Sequence, residues 1–373
     1  MTLAVGMALS GVALSSVSAA TAAKPTLDSA TRKQLEQALD DAMKQVDAPG
    51  AIVGVRVGNQ TWKATRGVSD TTTQAPVAQN GYTRVGSVTK TFTGTLIMQL
   101  VDEGKLSLDD TIDKWFPDVP LADQITVRML GDMSSGINSY TADDALTSKY
   151  FADPEGAWTP EELIDAGVAS PRKFAPGDGF FYSNTNFVML GMIVEQLRNQ
   201  PYNQVLQQRI LDPLKLHATS FPDAATMPTP SWHGYTDQLT TSDGQPVDAT
   251  TWSPTFAAMA GQMQSNLADV MTWAKAVGTG ATLTKKGQAE RLKGNPASKR
   301  PPREEYLFAL GRDNGWLAHD GDIPGFNAQL AYLPKGDVTI VVMTNSDIAT
   351  GGATPAPVIW KALATVVTPD NIP

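Results

Sequence analysis

Apolar and polar positions along the chain fall into helix-period and strand-period stretches. Leu35, Ala38, Leu39, Ala42 and Met43 recur at i, i+3, i+4, i+7 and i+8, one stripe of an amphipathic helix with Ser29 or Thr31 as its cap. Two β-rich runs follow, Ala51–Val57 and Thr61–Val68, with Gly58-Asn59-Gln60 as the turn between them. The far end mirrors this order. Phe326, Ala328, Leu330 and Tyr332 alternate with polar or small neighbours, Pro334-Lys335-Gly336-Asp337 turns the chain, Val338–Thr344 runs back, and a helix around Pro357–Val367 closes it. Between Ser87 and Met271 the pattern is mostly helical, interrupted by long Pro/Gly-rich loops. This order predicts an α/β protein of the α+β type. One antiparallel sheet is built from both termini and flanked by helices, and a mainly helical lobe is inserted between them. The expected boundaries are a sheet lobe of about 23–85 plus 256–373 and a helical lobe of about 86–255, together one domain. There is no internal repeat.

Composition narrows the class. At 373 residues the chain exceeds the roughly 250–300 at which a single core stops growing, in keeping with two lobes. With 38 acidic against 29 basic residues and a net charge of −9, nothing points to a nucleic-acid partner. The absence of cysteine excludes disulfides, thiolate metal sites and a cysteine nucleophile. Three histidines far apart (His217, His233, His319) make a His-rich metal centre unlikely to form, so neither a metal nor an organic cofactor is expected. The first charged residue is Lys24. The apolar run before it, ending in Ala20-Thr21-Ala22, reads as the hydrophobic and cleavage regions of a secretory signal over residues 1–22, although a positive leading region is missing. The run is too broken by Gly, Ser and Thr for a transmembrane anchor, and the expectation is a mature protein exported to the cell envelope or beyond.

The candidate chemistry lies in Arg84-Val85-Gly86-Ser87-Val88-Thr89-Lys90. Phe92, Leu96, Ile97, Leu100 and Val101 share a helical face behind it, and Gly104 stands where a helix-terminating glycine belongs. Ser87 then opens a buried helix and Lys90 lies one turn on, so hydroxyl and amine can touch. A desolvated lysine gives up its proton more easily and can act as base toward the serine, and the free N–H at the helix start can serve an oxyanion. Ser-x-x-Lys alone is a weak signal. A second occurrence, Ser170-Pro171-Arg172-Lys173, has no apolar helical face behind it and is rejected.

Two further motifs lift the first above chance: Tyr182-Ser183-Asn184 before an apolar helix, and His319-Asp320-Gly321 on a predicted strand. The order Ser-x-x-Lys, Tyr-x-Asn, His-x-Gly resembles the penicillin-recognising serine hydrolases, a family that includes D-Ala-D-Ala carboxypeptidases, class C β-lactamases and related esterases. The Gly104–Asp110, Ile125–Leu130 and Ala260–Ser265 segments resemble further parts of the same family, so the resemblance covers nearly the whole mature chain. It implies Ser87 as nucleophile, Lys90 as its activator and Tyr182 as the proton-shuttling phenol. Asn184 would bond the acyl-side amide or the lysine, and His319 and Gly321 would line the site. The N–H groups of Ser87 and Asp322 would form the oxyanion hole. The first residue of the third motif is often lysine; here His319 is charged only in part near neutral pH, which puts the grip on a substrate carboxylate in question. Met129 and Met133 stand around the Ser134-Ser135-Gly136 turn where many members carry histidines.

The resemblance implies an exported, cofactor-free acyl-enzyme hydrolase, first of all a D-Ala-D-Ala carboxypeptidase-like enzyme on cell-wall peptides. An esterase or a β-lactamase, and a penicillin-binding sensor that acylates and stops, are the alternatives. The expected partner is a peptide or small molecule: a peptidoglycan stem peptide, a β-lactam or an ester. A catalytically dead scaffold would have no need of Ser87, Lys90, Tyr182 and Asn184 together. His217 and His233 receive no role, and Trp232 is either a cleft-lining or an exposed aromatic.

Overall fold

Seven antiparallel strands make the main sheet in the computed structural model, which describes residues 25–298 and 304–373. The expected secretory segment 1–22 lies outside the described residues. The strands are β1 (Gly50–Val57), β2 (Gln60–Gly67), β3 (Glu304–Tyr306), β4 (Gly311–Asp313), β5 (Trp316–Ile323), β6 (Phe326–Leu333) and β7 (Val338–Thr344). Their order is β2-β1-β7-β6-β5-β4-β3. The two ends of the chain meet in its middle, where Ala51 of β1 pairs with Thr344 of β7 and Val57 with Val338.

Side chains alternate across the sheet, so each face has its own core. On one face Val53, Val55, Ala331, Ile340 and Val342 pack with Leu35, Leu39, Ile359 and Leu363 from helices α1 (Ser29–Met43) and α5 (Pro355–Val367). The cap of α1 is Asp28, whose carboxylate accepts from the Thr31 N–H at 2.8 Å, rather than Ser29 or Thr31. On the other face Ile52, Ala328, Leu330, Val341 and Met343 join the larger core of the helical layer. That layer contains α2 (Thr89–Asp102), α3 (Asn184–Arg198) and α4 (Leu267–Thr279).

Helix α2 is buried all round rather than along one stripe: every residue from Thr89 to Leu100 is inaccessible. Its threonines explain how. The hydroxyls of Thr91 and Thr95 donate back to the Val88 and Thr91 carbonyls, both at 2.7 Å, which satisfies them inside the core. Phe92 stacks on Trp273 of α4 at 3.9 Å between ring centroids. The helix stops at Gly104, whose φ of +69° a Cβ would disfavour. Among the described residues no helix is long and apolar enough to cross a membrane.

Candidate active site

The chain enters the site through Thr83–Arg84, which pairs with Gln264–Ser265, and turns sharply in a short 3₁₀ segment, Gly86–Val88, before α2 begins. Ser87 thus sits on that turn, just ahead of the helix proper. Two glycines let β5 rest against it. A Cβ on Gly86 would lie 2.7 Å from the Asp322 nitrogen and 2.9 Å from its oxygen, and a Cβ on Gly321 would lie 1.9 Å from the Val85 carbonyl. Both backbone polar atoms of Asp322 therefore face the Ser87 turn. The β5–β6 register agrees: the hairpin closes at Ile323 opposite Phe326, so Asp322 opposite Asn327 falls at a pair whose N–H and C=O point away from each other.

Behind the serine, Lys90 is wholly buried, and its Nζ lies 2.8 Å from Ser87 Oγ and 2.8 Å from the Ala260 carbonyl. Burial brings its pKa down to about 7, with the Asp320 charge opposing the change. A neutral amine can keep one N–H on Ala260 and turn its lone pair to the serine proton. The Tyr182 phenol lies near enough to Ser87 to feel its hydroxyl, and its ring lies 4.9 Å from Lys90 Nζ. Burial, with help from the Asp320 carboxylate, holds Tyr182 well above the usual phenol range, so it is a proton-bearing phenol at neutral pH. An amine of lowered pKa, a hydroxyl and a proton-bearing phenol are thus gathered at one place.

Two expected roles change in detail. His319 lines the site beside Tyr182, with ring centroids 6.3 Å apart, but it is not a partial cation. Its Nδ1–H donates to the Asp320 carbonyl at 2.6 Å and its Nε2 faces the Tyr306 hydroxyl at 3.2 Å; because a carbonyl only accepts, Nε2 is the acceptor of the Tyr306 O–H. Burial lowers its pKa further, so the ring is neutral. Asn184 does not reach the lysine: its Nδ2 donates to Thr141 Oγ1 at 3.3 Å, and the place beside Lys90 is taken by Ala260. Asn184 opens into the same cavity as Ser87.

That cavity, about 320 Å³, is lined by Tyr140, Tyr150, Phe151, Phe256, Gln238 and Asp322. Tyr150 stacks on Phe256 at 4.0 Å. Asp322 keeps contact with solvent, yet partial desolvation, with the charges of Asp347 and Asp320, pushes its pKa up to about 7. A second cavity of about 440 Å³ lies beyond β5 and is lined by Tyr182, Tyr306, His319 and Asp320. Among the described residues no three His, Cys, Asp or Glu side chains gather as metal ligands would.

Sequence reasoning missed Tyr306, Ala260 and the aromatic wall, because each enters through a contact with a distant segment that no local pattern announces. It left Met133 without a role. Met133, at φ +67°, turns its sulfur to the Ser183 N–H at 3.3 Å, at the start of α3. Trp232 is neither cleft-lining nor exposed but fully buried. Ser170 ends a helix and donates to Asp143, away from the site. His233 makes an exposed pair with Asp248 at 2.6 Å.

Residues 35–364 match the Beta-lactamase family. The chain belongs to that family. Its similarity extends to penicillin-binding protein 4 of Amycolatopsis lactamdurans, 26% identical over 339 residues that make up 84% of this chain and 85% of that protein. Protein flp of Staphylococcus aureus (strain N315) is 25% identical over 326 residues; these are 84% of this chain but only 63% of that longer relative. Among solved structures, a D-stereospecific amidohydrolase from Streptomyces sp. superimposes with a TM-score of 0.80 at 31% identity, covering 90% of this chain and 98% of the other. The D-amino acid amidase of Ochrobactrum anthropi SV3, complexed with L-phenylalanine amide, gives 0.79 at 25% identity, covering 91% and 97%. This member of the beta-lactamase family accordingly has the β-lactamase/DD-peptidase fold.

Proposed function

We propose that this enzyme cleaves amide or ester bonds of D-configured substrates through an acyl-enzyme on Ser87. The observation that carries the reading is the buried Lys90 amine at 2.8 Å from Ser87 Oγ, with its pKa brought to about 7. Lys90 takes the hydroxyl proton as Ser87 attacks the carbonyl, and the N–H groups of Ser87 and Asp322 hold the oxyanion. Tyr182 gives its proton to the leaving nitrogen or oxygen and regains one from Lys90; in deacylation water replaces the leaving group and the transfers run in reverse. Asn184 holds the acyl side, and the chain acts as one catalytic domain. The apolar segment 1–22 supports export to the cell envelope, which N-terminal sequencing of protein recovered outside the cytoplasm tests.

Within this chemistry, D-aminoacyl amides fit best. Asp320 and Asp322 flank the reacting centre, His319 is neutral, and two of the most similar structures are D-specific amide hydrolases. The carboxypeptidase reading draws on the motif order and on the likeness to penicillin-binding protein 4, yet a terminal carboxylate would meet two acidic side chains there. Turnover of D-phenylalanine amide, of its L enantiomer and of a D-Ala-D-Ala peptide separates the two. Wild type is expected to hydrolyse the D-amide fastest and Ser87→Ala nothing. Preferential release of D-Ala would establish the carboxypeptidase, and full activity of Ser87→Ala would remove the nucleophile assignment.

A further inference from the structure

Asp322 lines the cavity into which Ser87 opens, and its N–H points at the Ser87 turn, where an oxyanion would form. Near enough for its charge to act on Asp322 lies Asp347, which accepts from Gln238 Nε2 at 2.6 Å, Thr236 Oγ1 at 3.0 Å and the Gly325 N–H at 3.2 Å. Asp347 is therefore already satisfied and fixed. Asp322 accepts no hydrogen bond of that kind from Gln238, whose amide is spent on Asp347. Tyr140, Tyr150 and Phe256 also line the cavity, with Tyr150 stacked on Phe256 at 4.0 Å and Tyr140 packed against Phe256 at 5.3 Å. Among the described residues lining this cavity there is no lysine, arginine or histidine.

An acidic side chain and aromatic rings around one cavity are what a cation recognises. The covalent geometry of an aminoacyl group says which cation. Its α-ammonium is attached to the carbon next to the carbonyl, so when the carbonyl oxygen sits on the Asp322 N–H the ammonium lies within a few ångströms of that residue. Resting on the reading of Ser87 as nucleophile, we propose that the Asp322 carboxylate binds the free α-ammonium of the acyl residue. The enzyme would then select substrates with an unblocked amino end, with the side chain of that residue lying along the Tyr150–Phe256 wall. One residue thus holds both the oxyanion, by its backbone, and the charge that identifies the substrate, by its side chain.

The test compares D-phenylalanine p-nitroanilide with its N-acetyl derivative, in wild type, Asp322→Asn and Asp322→Glu, alongside p-nitrophenyl acetate as an ester with no amine. The expected result is a wild-type preference for the free amine of about tenfold or more in kcat/KM, expressed chiefly in KM. This preference should fall about tenfold in Asp322→Asn and be partly restored in Asp322→Glu. Equal kcat/KM for the two anilides in wild type, or an equal loss on both anilides in Asp322→Asn, would overturn the proposal, the latter by placing Asp322 in the oxyanion hole alone. If p-nitrophenyl acetate is hydrolysed with Ser87 dependence while the free-amine anilide is refused, the amine subsite is wrong and the nucleophile stands. If Ser87→Ala retains the ester activity, the nucleophile assignment and the subsite fall together.

Discussion

Lys90 carries a charge history that can be measured in two ways. Folded, it loses its proton near pH 7; released into water, it keeps it to about 10.5. Activity that needs the free amine should rise with pH through about 7 and level off above it, for substrates with or without an amine. Binding of an ammonium by Asp322, whose carboxyl ionises in the same region, should add a fall in KM over that range for amine-bearing substrates only. For stability the sign follows from proton counting. Between pH 7 and 10.5 the unfolded chain binds more protons at this position than the folded one, so stability gains from this group as pH rises, and below 7 the buried ammonium costs its full amount. Lys90→Met is therefore expected to raise Tm at pH 6 and to raise it less at pH 9, by differential scanning calorimetry; an equal change at both would contradict the lowered pKa. Tyr306→Phe should leave the His319 Nε2 lone pair buried without a donor, costing about 1–3 kcal/mol, and nitrogen NMR of the ring should then show mixed tautomers in place of the Nδ1–H form. At this scale Ser87, Lys90 and Tyr182 were legible because their spacing is fixed by one helix and one motif. The neutrality of His319 was not, because it depends on burial by segments distant in sequence, which no local pattern marks.

Elements bring these residues together through close backbone contact. Gly321 has no room for a side chain, since a Cβ would stand 1.9 Å from the Val85 carbonyl. Gly321→Ala should push β5 off the Ser87 turn, separate the two oxyanion donors and cut kcat by about 10²-fold or more, with far-ultraviolet circular dichroism unchanged. Gly104→Ala is the contrasting case: its Cβ would meet open space, and only the φ of +69° is strained. It should cost about 1 kcal/mol in stability with kcat intact, and a loss of kcat there would mean that α2 transmits strain to the site. The two N-terminal strands and the C-terminal hairpin were readable from period-two alternation and turn residues, whereas the short strands β3 and β4 were not. The all-round burial of α2 was not, because threonines count as polar in a pattern and become apolar in effect once their hydroxyls bond the helix backbone.

The whole molecule joins its ends. Residues 51–57 pair with 338–344 in the middle of the sheet, and α5 covers the same face as α1. The mirrored order of elements at the two termini made that legible before any coordinates, while the shape of the cleft and the sign of its charge required them. Removing residues 355–373 should expose Ile359 and Leu363's partners on β6 and β7 and abolish cooperative unfolding in urea; a truncated chain with an unchanged midpoint would show that α5 is dispensable. The joined ends also impose a timetable. The helical layer is synthesised long before its sheet can exist, because β1 waits for β7 and the Ser87 turn waits for β5. A growing chain therefore carries Ser87 and Lys90 well before β5 can rest against their turn, and the cleft takes shape only after residues 338–344 have been made. That delay is written into strand order alone.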